Sequence, residues 1–585
     1  MVVEHLRPLF PYLKKYRSAY IWGGVCVLLM NGTWVLFPPI IGRAIDGMRK
    51  TGVSLHTIGV LALMLLAVSA VKAIFQFLIR WVLIGASREI EFDLRNDMFR
   101  HLEGLSYSFY QRTRTGDIMA KATNDLNAVR MLLGPGFMYT ANTVVFTALA
   151  LVFMLHISHR LTFYAFLPLP VVSIVIQYFG RRIHERFERI QAMFSDISAR
   201  AQENFSGVRV IRAYAQEQAE IASFETANRE YIARSLKLVR LMGMLWPTLE
   251  TMLGLAIVLV LWLGGREVLL GRITVGQFTA FNTYMVQLTW PVIALGWVIN
   301  IFQRGTASLG RIYQLMQEKP EITDAPSVKA LPAGEELLGE IEFRNLSFSY
   351  NGVPVLHDID LRIPAGTSMA IVGPTGSGKT TLVSLIPRIY DASPESVLID
   401  GRPIRDYTLA DLRRNIGFVP QETFLFSETV RENIAFGVQS ASDEEVRWAA
   451  KAANIAAEIE DFPDKYKTLV GERGITLSGG QKQRTAIARA LLRRPAILIL
   501  DDALASVDTY TEERILGGLR SYTAESTTIL ISHRVSTVRH ADQIAVLNHG
   551  KIVELGKHDE LLALDGYYAS LYQKQQLEEE LTVAG

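Results

Sequence analysis

The run GPTGSGKT, Gly373 to Thr380, packs three glycines, a lysine and a following threonine into eight residues. Glycines let the backbone curl until successive N–H groups point at one anion, and a helix start behind them adds positive potential. A strand-like run, SMAIV, precedes the glycines and a helical one, KTTLVSLI, follows. A chance glycine-rich turn would lack that frame. The pattern therefore predicts a phosphate cradle formed by Gly373, Pro374, Thr375, Gly376, Ser377, Gly378 and Thr381. Lys379 is placed to reach the β- and γ-phosphates of a nucleotide, and Thr380 to offer its hydroxyl to Mg2+.

A second run, LILDDALASVD, sets Asp501 and Asp502 side by side at the end of an apolar stretch. A carboxylate at the tip of a buried strand, beside a phosphate loop, can hold Mg2+ through its water shell, which assigns Asp501 to the metal. Asp502 faces another way and is the candidate for aligning or deprotonating an attacking water.

The elements that must position these groups divide the chain in two. Its 585 residues exceed what one core usually supports. An apolar fraction of 49 %, a charged fraction of 20 % and a mean hydropathy of +0.20 point towards a membrane. The net charge of +2 gives no reason to expect nucleic acid. One cysteine, Cys26 in an apolar run, excludes an intrachain disulfide and a thiolate metal cluster. Six stretches supply the roughly twenty apolar residues a crossing helix needs: 20–41, 58–84, 138–157, 161–180, 241–264 and 274–302. Arg and Lys crowd the long segments after the second and fourth, as at Arg95, Arg112, Arg181 and Arg186. Arg49 and Lys50 sit on the opposite side, but the larger excess puts the N-terminus, both long loops and the C-terminal half in the cytoplasm. Residues 1–17 read as an amphipathic segment on the membrane surface, with a plain exposed helix as the alternative. The transmembrane domain is expected over 18–317, a proline-bearing linker over 318–338, and a soluble α/β domain over 339–577 before a tail, 578–585.

At LSGGQKQR, Leu477 to Arg484, the chain resembles the ATP-binding-cassette (ABC) family, whose signature has this form. GPTGSGKT, LILDD, Gln421 in FVPQE and His533 in ISHR match the family's order and spacing. The first half resembles the six-helix membrane domain of ABC exporters. SFYQRTRTGDIMAKATNDL and ENFSGVRVIRAYAQEQ look like the two intracellular loops that dock on that family's nucleotide domains. The implied fold is a membrane α-helical domain followed by an α/β P-loop NTPase domain, a multi-pass plasma-membrane protein of bacterial type. The resemblance implies that Tyr350 stacks on adenine, although a simple cross-strand aromatic pair also accounts for it. It implies that Gln421 contacts Mg2+ and that His533 bonds the γ-phosphate. Leu477, Ser478, Gly479, Gly480 and Gln481 would cap ATP held by a partner's phosphate loop, since cassettes of the family pair head to tail. Asp508 would lie at that interface.

One residue departs from the family. A Glu follows the metal-side Asp where hydrolysis is efficient, and here the residue is Asp502; ASVD in place of SALD is a milder change. One methylene less retracts the carboxylate by a little over about 1 Å, and about 1 Å of misplacement can cost on the order of a hundredfold in rate. The expectation is a site on this chain that binds ATP and hydrolyses it poorly, while the intact signature completes the site of a homologous half-transporter carrying Glu. That arrangement resembles the BmrC-type half of asymmetric bacterial multidrug exporters. A homodimer with slower turnover is the alternative.

For cargo, Glu250 stands inside the fifth apolar stretch, where an unpartnered carboxylate costs about 3 kcal/mol. Two readings stay open: a cavity acid that attracts cationic amphiphiles, and a polar contact between helices or near the interface. On the sixth stretch Phe281, Asn282, Tyr284, Gln287, Trp290 and Asn300 are pocket or packing candidates. Drug or lipid-like substrates lead; a homodimeric lipid or peptide exporter and an ATP-gated regulatory subunit are the other classes. The chain has no N-terminal extension for a cysteine-protease domain, so peptide processing is not expected.

Overall fold

The computed structural model describes residues 7–49, 54–332, 335–471, 474, 476–505, 509–522 and 526–584. The chain divides into two compact units, Met1–His101 with Gly116–Gln317, and Leu102–Thr115 with Glu318–Gly585.

In the first unit six helices are long and apolar enough to cross a bilayer: Arg17–Met48, Leu55–Glu103, Thr115–Ile157, His159–Ser206, Glu217–Leu269 and Val275–Gln317. All six outrun the roughly 30 Å a hydrocarbon core requires, and four do so because helix extends beyond their apolar parts, to Glu103 and from Thr115 in the first long loop and to Ser206 and from Glu217 in the second. The first helix is broken between Trp34 and Phe37, where Pro38 falls in the opening turn of a new segment, the position proline tolerates best. The sixth begins on a reciprocal cap: the Thr274 hydroxyl accepts from Gln277 N–H (3.0 Å) and the Gln277 amide oxygen accepts from Thr274 N–H (2.9 Å). Asp46 of the first helix accepts from Gly276 N–H at 2.7 Å and from the Thr274 hydroxyl at 2.5 Å, a carboxylate seated at a positive helix end. Gly42 and Gly276 let the two backbones touch, since a Cβ on Gly276 would stand 2.0 Å from the Gly42 carbonyl oxygen. Cytoplasmically, Asp125 takes a two-pronged contact from Arg311 (2.5 and 2.9 Å) and a hydrogen bond from Ser308 (2.9 Å).

Phe281 and Tyr284 are fully buried among Val35, Phe146, Met154 and Val260, and the Tyr284 hydroxyl donates to the Val35 carbonyl. These two sixth-helix aromatics are therefore packing residues, while Trp290 is exposed. Of the N-terminal stretch, Arg7–Leu9 and Phe10–Lys15 are helical; Leu9 is buried and the Tyr12 hydroxyl donates to Asp97 at 2.7 Å.

The second unit carries two sheets. β1 (Ile341–Tyr350), β2 (Val353–Ile363), β4 (Val397–Ile399) and β5 (Arg402–Pro403) form an antiparallel sheet in the order β2-β1-β4-β5. β3 (Ser368–Val372), β6 (Ile416–Val419), β7 (Ile497–Asp501), β8 (Thr527–Ile531), β9 (Gln543–Asn548) and β10 (Lys551–Gly556) form the other, in the order β10-β9-β3-β8-β7-β6. All its pairings are parallel except β10 with β9. Buried on both faces, β3 and β7 are nearly unbroken apolar runs, as inner parallel strands should be. In register, Ile371 and Asp501 both pair with Ile531, so β3, β8 and β7 end level. The loops that follow them emerge at one edge, where ligands of open α/β sheets bind.

Candidate nucleotide site

The phosphate loop leaves β3 at Gly373 and enters helix α1 (Lys379–Leu385) through Gly378. Gly373 (φ +153°), Gly376 (+82°) and Gly378 (+103°) all adopt conformations that side chains disfavour. A Cβ on Gly373 would also meet the Leu547 carbonyl oxygen at 2.0 Å, so this turn admits only glycine. Lys379 is 6 % exposed and folds back over the loop, its Nζ donating to the Gly373 and Pro374 carbonyls at 2.9 and 2.8 Å. Burial holds its ammonium below the usual lysine range, and the carboxylates of Asp501 and Asp502 pull it partly back.

Thr380 donates to Asp501 Oδ1 at 3.2 Å, joining the loop to the end of β7. Asp501 is 1 % exposed, and burial raises its carboxyl above the ordinary aspartate range despite the threonine bond. Its Oδ2 is buried without a hydrogen-bond partner, as is the Ser377 hydroxyl. Such orphans are rare in folded proteins. The site thus keeps a cation and a carboxyl both poorly solvated and incompletely paired. A phosphate beside Lys379 and Ser377, with Mg2+ beside Asp501 and Thr380, would answer each deficit. Among the described residues no group of three or more His, Cys, Asp or Glu could hold a metal alone.

Asp502 leaves the strand in a left-handed turn (φ +49°), its N–H donating to the Ile531 carbonyl at 3.0 Å. This turn separates the two carboxylates: Asp501 stays in the sheet, and Asp502 is partly exposed beyond it. Gln421 and His533 are exposed, on the loops after β6 and β8. Tyr350 closes β1 with its hydroxyl 3.2 Å from Thr381 Oγ1; its ring meets Phe348 and Tyr390 edge-on, with centroids at 4.9 and 5.0 Å. Tyr390 in turn meets Tyr107 edge-on at 5.9 Å. Tyr107 opens the short helix Tyr107–Arg112, the part of the first expected docking loop that groups with the nucleotide unit. Ser108 and Arg112 tie that helix to Glu321 at 2.5 and 3.2 Å.

Sequence reading missed Tyr390, and it missed Glu512. The latter is 1 % exposed on the helix Thr509–Tyr522, where it accepts from Arg534 at 2.7 Å and from Thr537. Arg534 follows His533 and also donates to the Ala505 carbonyl at 3.1 Å, fastening the histidine loop to the turn after Asp502. Burial raises the Glu512 carboxyl, and Arg534 lowers it in part.

The signature turn is built separately. Ser478 caps helix α2 (Gly479–Leu492): its hydroxyl accepts from Gln481 N–H at 3.3 Å, and the Gln481 amide oxygen accepts from Ser478 N–H at 2.9 Å. Leu477 is buried, Ser478 and Gly479 are exposed, and Gly480 is partly exposed. Gln481 also donates to Glu458 at 3.0 Å. Among the described residues no hydrogen bond joins this turn to the phosphate loop. Asp508 lies outside the described residues.

Comparison with known proteins matches residues 20–292 to the ABC transporter transmembrane region and residues 356–505 to the ABC transporter family. The chain is 37 % identical over 575 residues to a probable multidrug resistance ABC transporter ATP-binding/permease protein, YheI, of Bacillus subtilis (strain 168), covering 98 % of each chain. It is 36 % identical over 578 residues to the multidrug resistance-like ATP-binding protein MdlA of Escherichia coli (strain K12), covering 97 % of this chain and 96 % of that one. A bacterial Atm1-family ABC exporter, solved with ATP bound, superposes with a TM-score of 0.78 at 31 % identity, over 96 % of this chain and 99 % of that one.

Proposed function

The chain belongs to the ABC transporter family as a half-transporter with fused membrane and ATP-binding parts, and from that premise we propose that it exports amphiphilic drugs or lipid-like compounds as one half of a heterodimer. Its ATP-binding part is cytoplasmic and its six apolar helices make it a multi-pass plasma-membrane protein. One observation carries the asymmetric reading: a signature helix with its N-terminal capping box in place and an aspartate at 502 coexist on one chain.

In this reading ATP with Mg2+ occupies the loop from Gly373 to Thr381, against Tyr350. Bound there, Mg2+ supplies neutralisation of phosphate charge. Lys379 and Ser377 orient the phosphates, Thr380, Asp501 and Gln421 hold the ion's water shell, and His533 donates to the γ-phosphate. Asp502, too short to poise water well, leaves this site slow. Ser478, Gly479 and Gly480 present a helix N-terminus to the ATP of the partner, with Leu477 packed beneath and Gln481 locking the cap. Asp508 is assigned to the dimer interface. Nucleotide that prefers the closed dimer shifts the population towards it, and hydrolysis at the competent site releases it. The test is co-reconstitution of this chain with a homologous half-transporter carrying Glu at the position equivalent to 502. The pair should accumulate a fluorescent amphiphile against its gradient. Brisk ATP-driven accumulation by this chain alone would reject the heterodimer, and dissipation of the gradient would identify a gate.

The substrate reading rests on a cavity of about 380 Å3 within the first unit. Met154, Met252, Met285, Phe166 and Trp246 line it, with Glu250 as its one charged residue. Flexible thioethers and aromatics suit varied apolar guests, and a lone carboxylate favours those carrying a positive charge. Glu250→Gln should raise the half-stimulating concentration of a cationic amphiphile in ATPase assays about tenfold, the loss of one charge-assisted contact, and leave a neutral drug unaffected. Equal behaviour of both drugs would retire the acidic cavity.

A further inference from the structure

The loop that carries His533 runs from the end of β8 to the short helix Val535–Val538, and its backbone is held from outside. The planar peptide between His533 and Arg534 is pinned at both ends. Its N–H donates to the Ser532 hydroxyl at 3.0 Å, and its carbonyl accepts from the side-chain amide of Gln575. The same amide accepts, through Oε1, from Val535 N–H at 2.8 Å. Both bonds require one orientation of the amide, nitrogen towards His533 and oxygen towards Val535. β8 fixes the chain before His533 and these bonds fix it after, so the Cα–Cβ direction of the histidine is set while its imidazole stands exposed.

Gln575 reaches this loop from the last helix, Tyr567–Ala584, forty-two residues on from His533. That helix is seated by its first turn. Glu554 of β10 accepts from Tyr567 and Tyr568 N–H at 2.5 and 3.1 Å, a carboxylate on a positive helix start. Tyr568 is fully buried, with its hydroxyl 2.8 Å from His558 Nδ1. Gln575 follows Tyr568 by about two turns and so shares its inward face. The neighbouring Gln576 is exposed and donates to the Tyr572 hydroxyl at 2.7 Å, within the same helix.

We propose that Gln575 is a positioning residue for His533, a two-point clamp through which the last helix of the chain sets the contact between that histidine and the γ-phosphate. The inference rests on the reading of this chain's phosphate loop as an ATP site with His533 on the γ-phosphate. Without the clamp the His533–Arg534 peptide regains its freedom to turn. A shift of about 1 Å takes a hydrogen bond out of its working range of roughly 2.7–3.2 Å. ADP has no γ-phosphate and should not sense the change.

Binding of MgADP, and of the β,γ-imido analogue of ATP with Mg2+, to the full chain at one copy per lipid nanodisc tests this. In Gln575→Ala the affinity for the ATP analogue should fall about tenfold, the loss of one charge-assisted contact, while MgADP binds as before. His533→Ala should show the same selective fall, and adding Gln575→Ala to it should do nothing more, because both act on one contact. Gln575→Glu keeps the side chain's size and the acceptor for Val535 but sets a carboxylate oxygen against the His533 carbonyl, so it should behave as Gln575→Ala. Gln576→Ala should bind both nucleotides normally. Unchanged analogue affinity in Gln575→Ala, beside a fall in His533→Ala, would overturn the proposal and leave the histidine's role standing. So would additive losses in the double variant, normal analogue binding by Gln575→Glu, or equal losses for both nucleotides, the mark of a helix that only braces the domain. Unchanged analogue affinity in His533→Ala would overturn both the histidine's contact and the clamp built on it.

Discussion

Replacing Asp502 with Glu should raise ATP hydrolysis at this chain's own site by up to about a hundredfold if the proposed weak site is right, because the added methylene would carry the carboxylate the missing ~1 Å. The proposed heterodimer should show much less. If the partner's loop and this chain's signature carry nearly all turnover, a restored second site can at most match it, so total activity should rise no more than about twofold. Single-turnover measurements with nucleotide trapped at one site separate the two contributions. Asp502→Asn should scarcely lower the activity of the pair. A near-complete loss would mean that Asp502 already serves as the working acid, as in a slow homodimer. The backbone adds a second readout. Residue 502 sits at φ +49°, a conformation that Asp tolerates better than longer side chains. Asp502→Glu should therefore cost up to about 1 kcal/mol of stability, visible as a modest fall in Tm alongside the gain in rate. A variant that is both faster and less stable would place the retracted acid and its strained turn in the same residue.

How much of this site was legible depends on the range of the interaction that makes it. The phosphate loop is local: three glycines, a strand before and a helix after are fixed within a dozen residues, and Gly373, Gly376 and Gly378 each take the positive φ that the spacing demands. The Ser478–Gln481 cap is equally short-range. Glu512 was invisible because its meaning lies in Arg534, twenty-two residues on and across a strand. Nothing in TYTEERI distinguishes it from the solvated glutamate beside it. Tyr390 likewise matters only through Tyr350 and Tyr107, which the fold brings to either side of it.

In the membrane half, apolar length gave the six helices, since a bilayer demands it whatever the packing. Which face of each helix looks inward is set by its neighbours. The aromatics Phe281 and Tyr284 drew attention, yet they pack in the core, while Met285, Leu288, Thr289 and Ile293 face the cavity of Glu250.

The other large effect belongs to Lys379. Its ammonium is 6 % exposed and rests on two carbonyl oxygens of its own loop, with no ion pair among the described residues. Burial already disfavours the charge, so without nucleotide the lysine is held in the loop at some cost to the fold. Phosphate oxygens would turn that cost into binding, through charge-assisted hydrogen bonds worth about 1.5–3 kcal/mol each. Lys379→Met keeps the length and apolar stem and deletes the charge. ATP affinity should then fall by about a hundredfold or more, the equivalent of two such bonds. The nucleotide-free chain should lose no stability, because a buried charge has been exchanged for an apolar group of similar size. In thermal melts the apo Tm should hold or rise, and the upward shift produced by MgATP should vanish. A variant whose apo form melts markedly earlier would show that the lysine is chiefly a strut for the loop. One that keeps the MgATP shift would show that the phosphates are held by the backbone cradle alone.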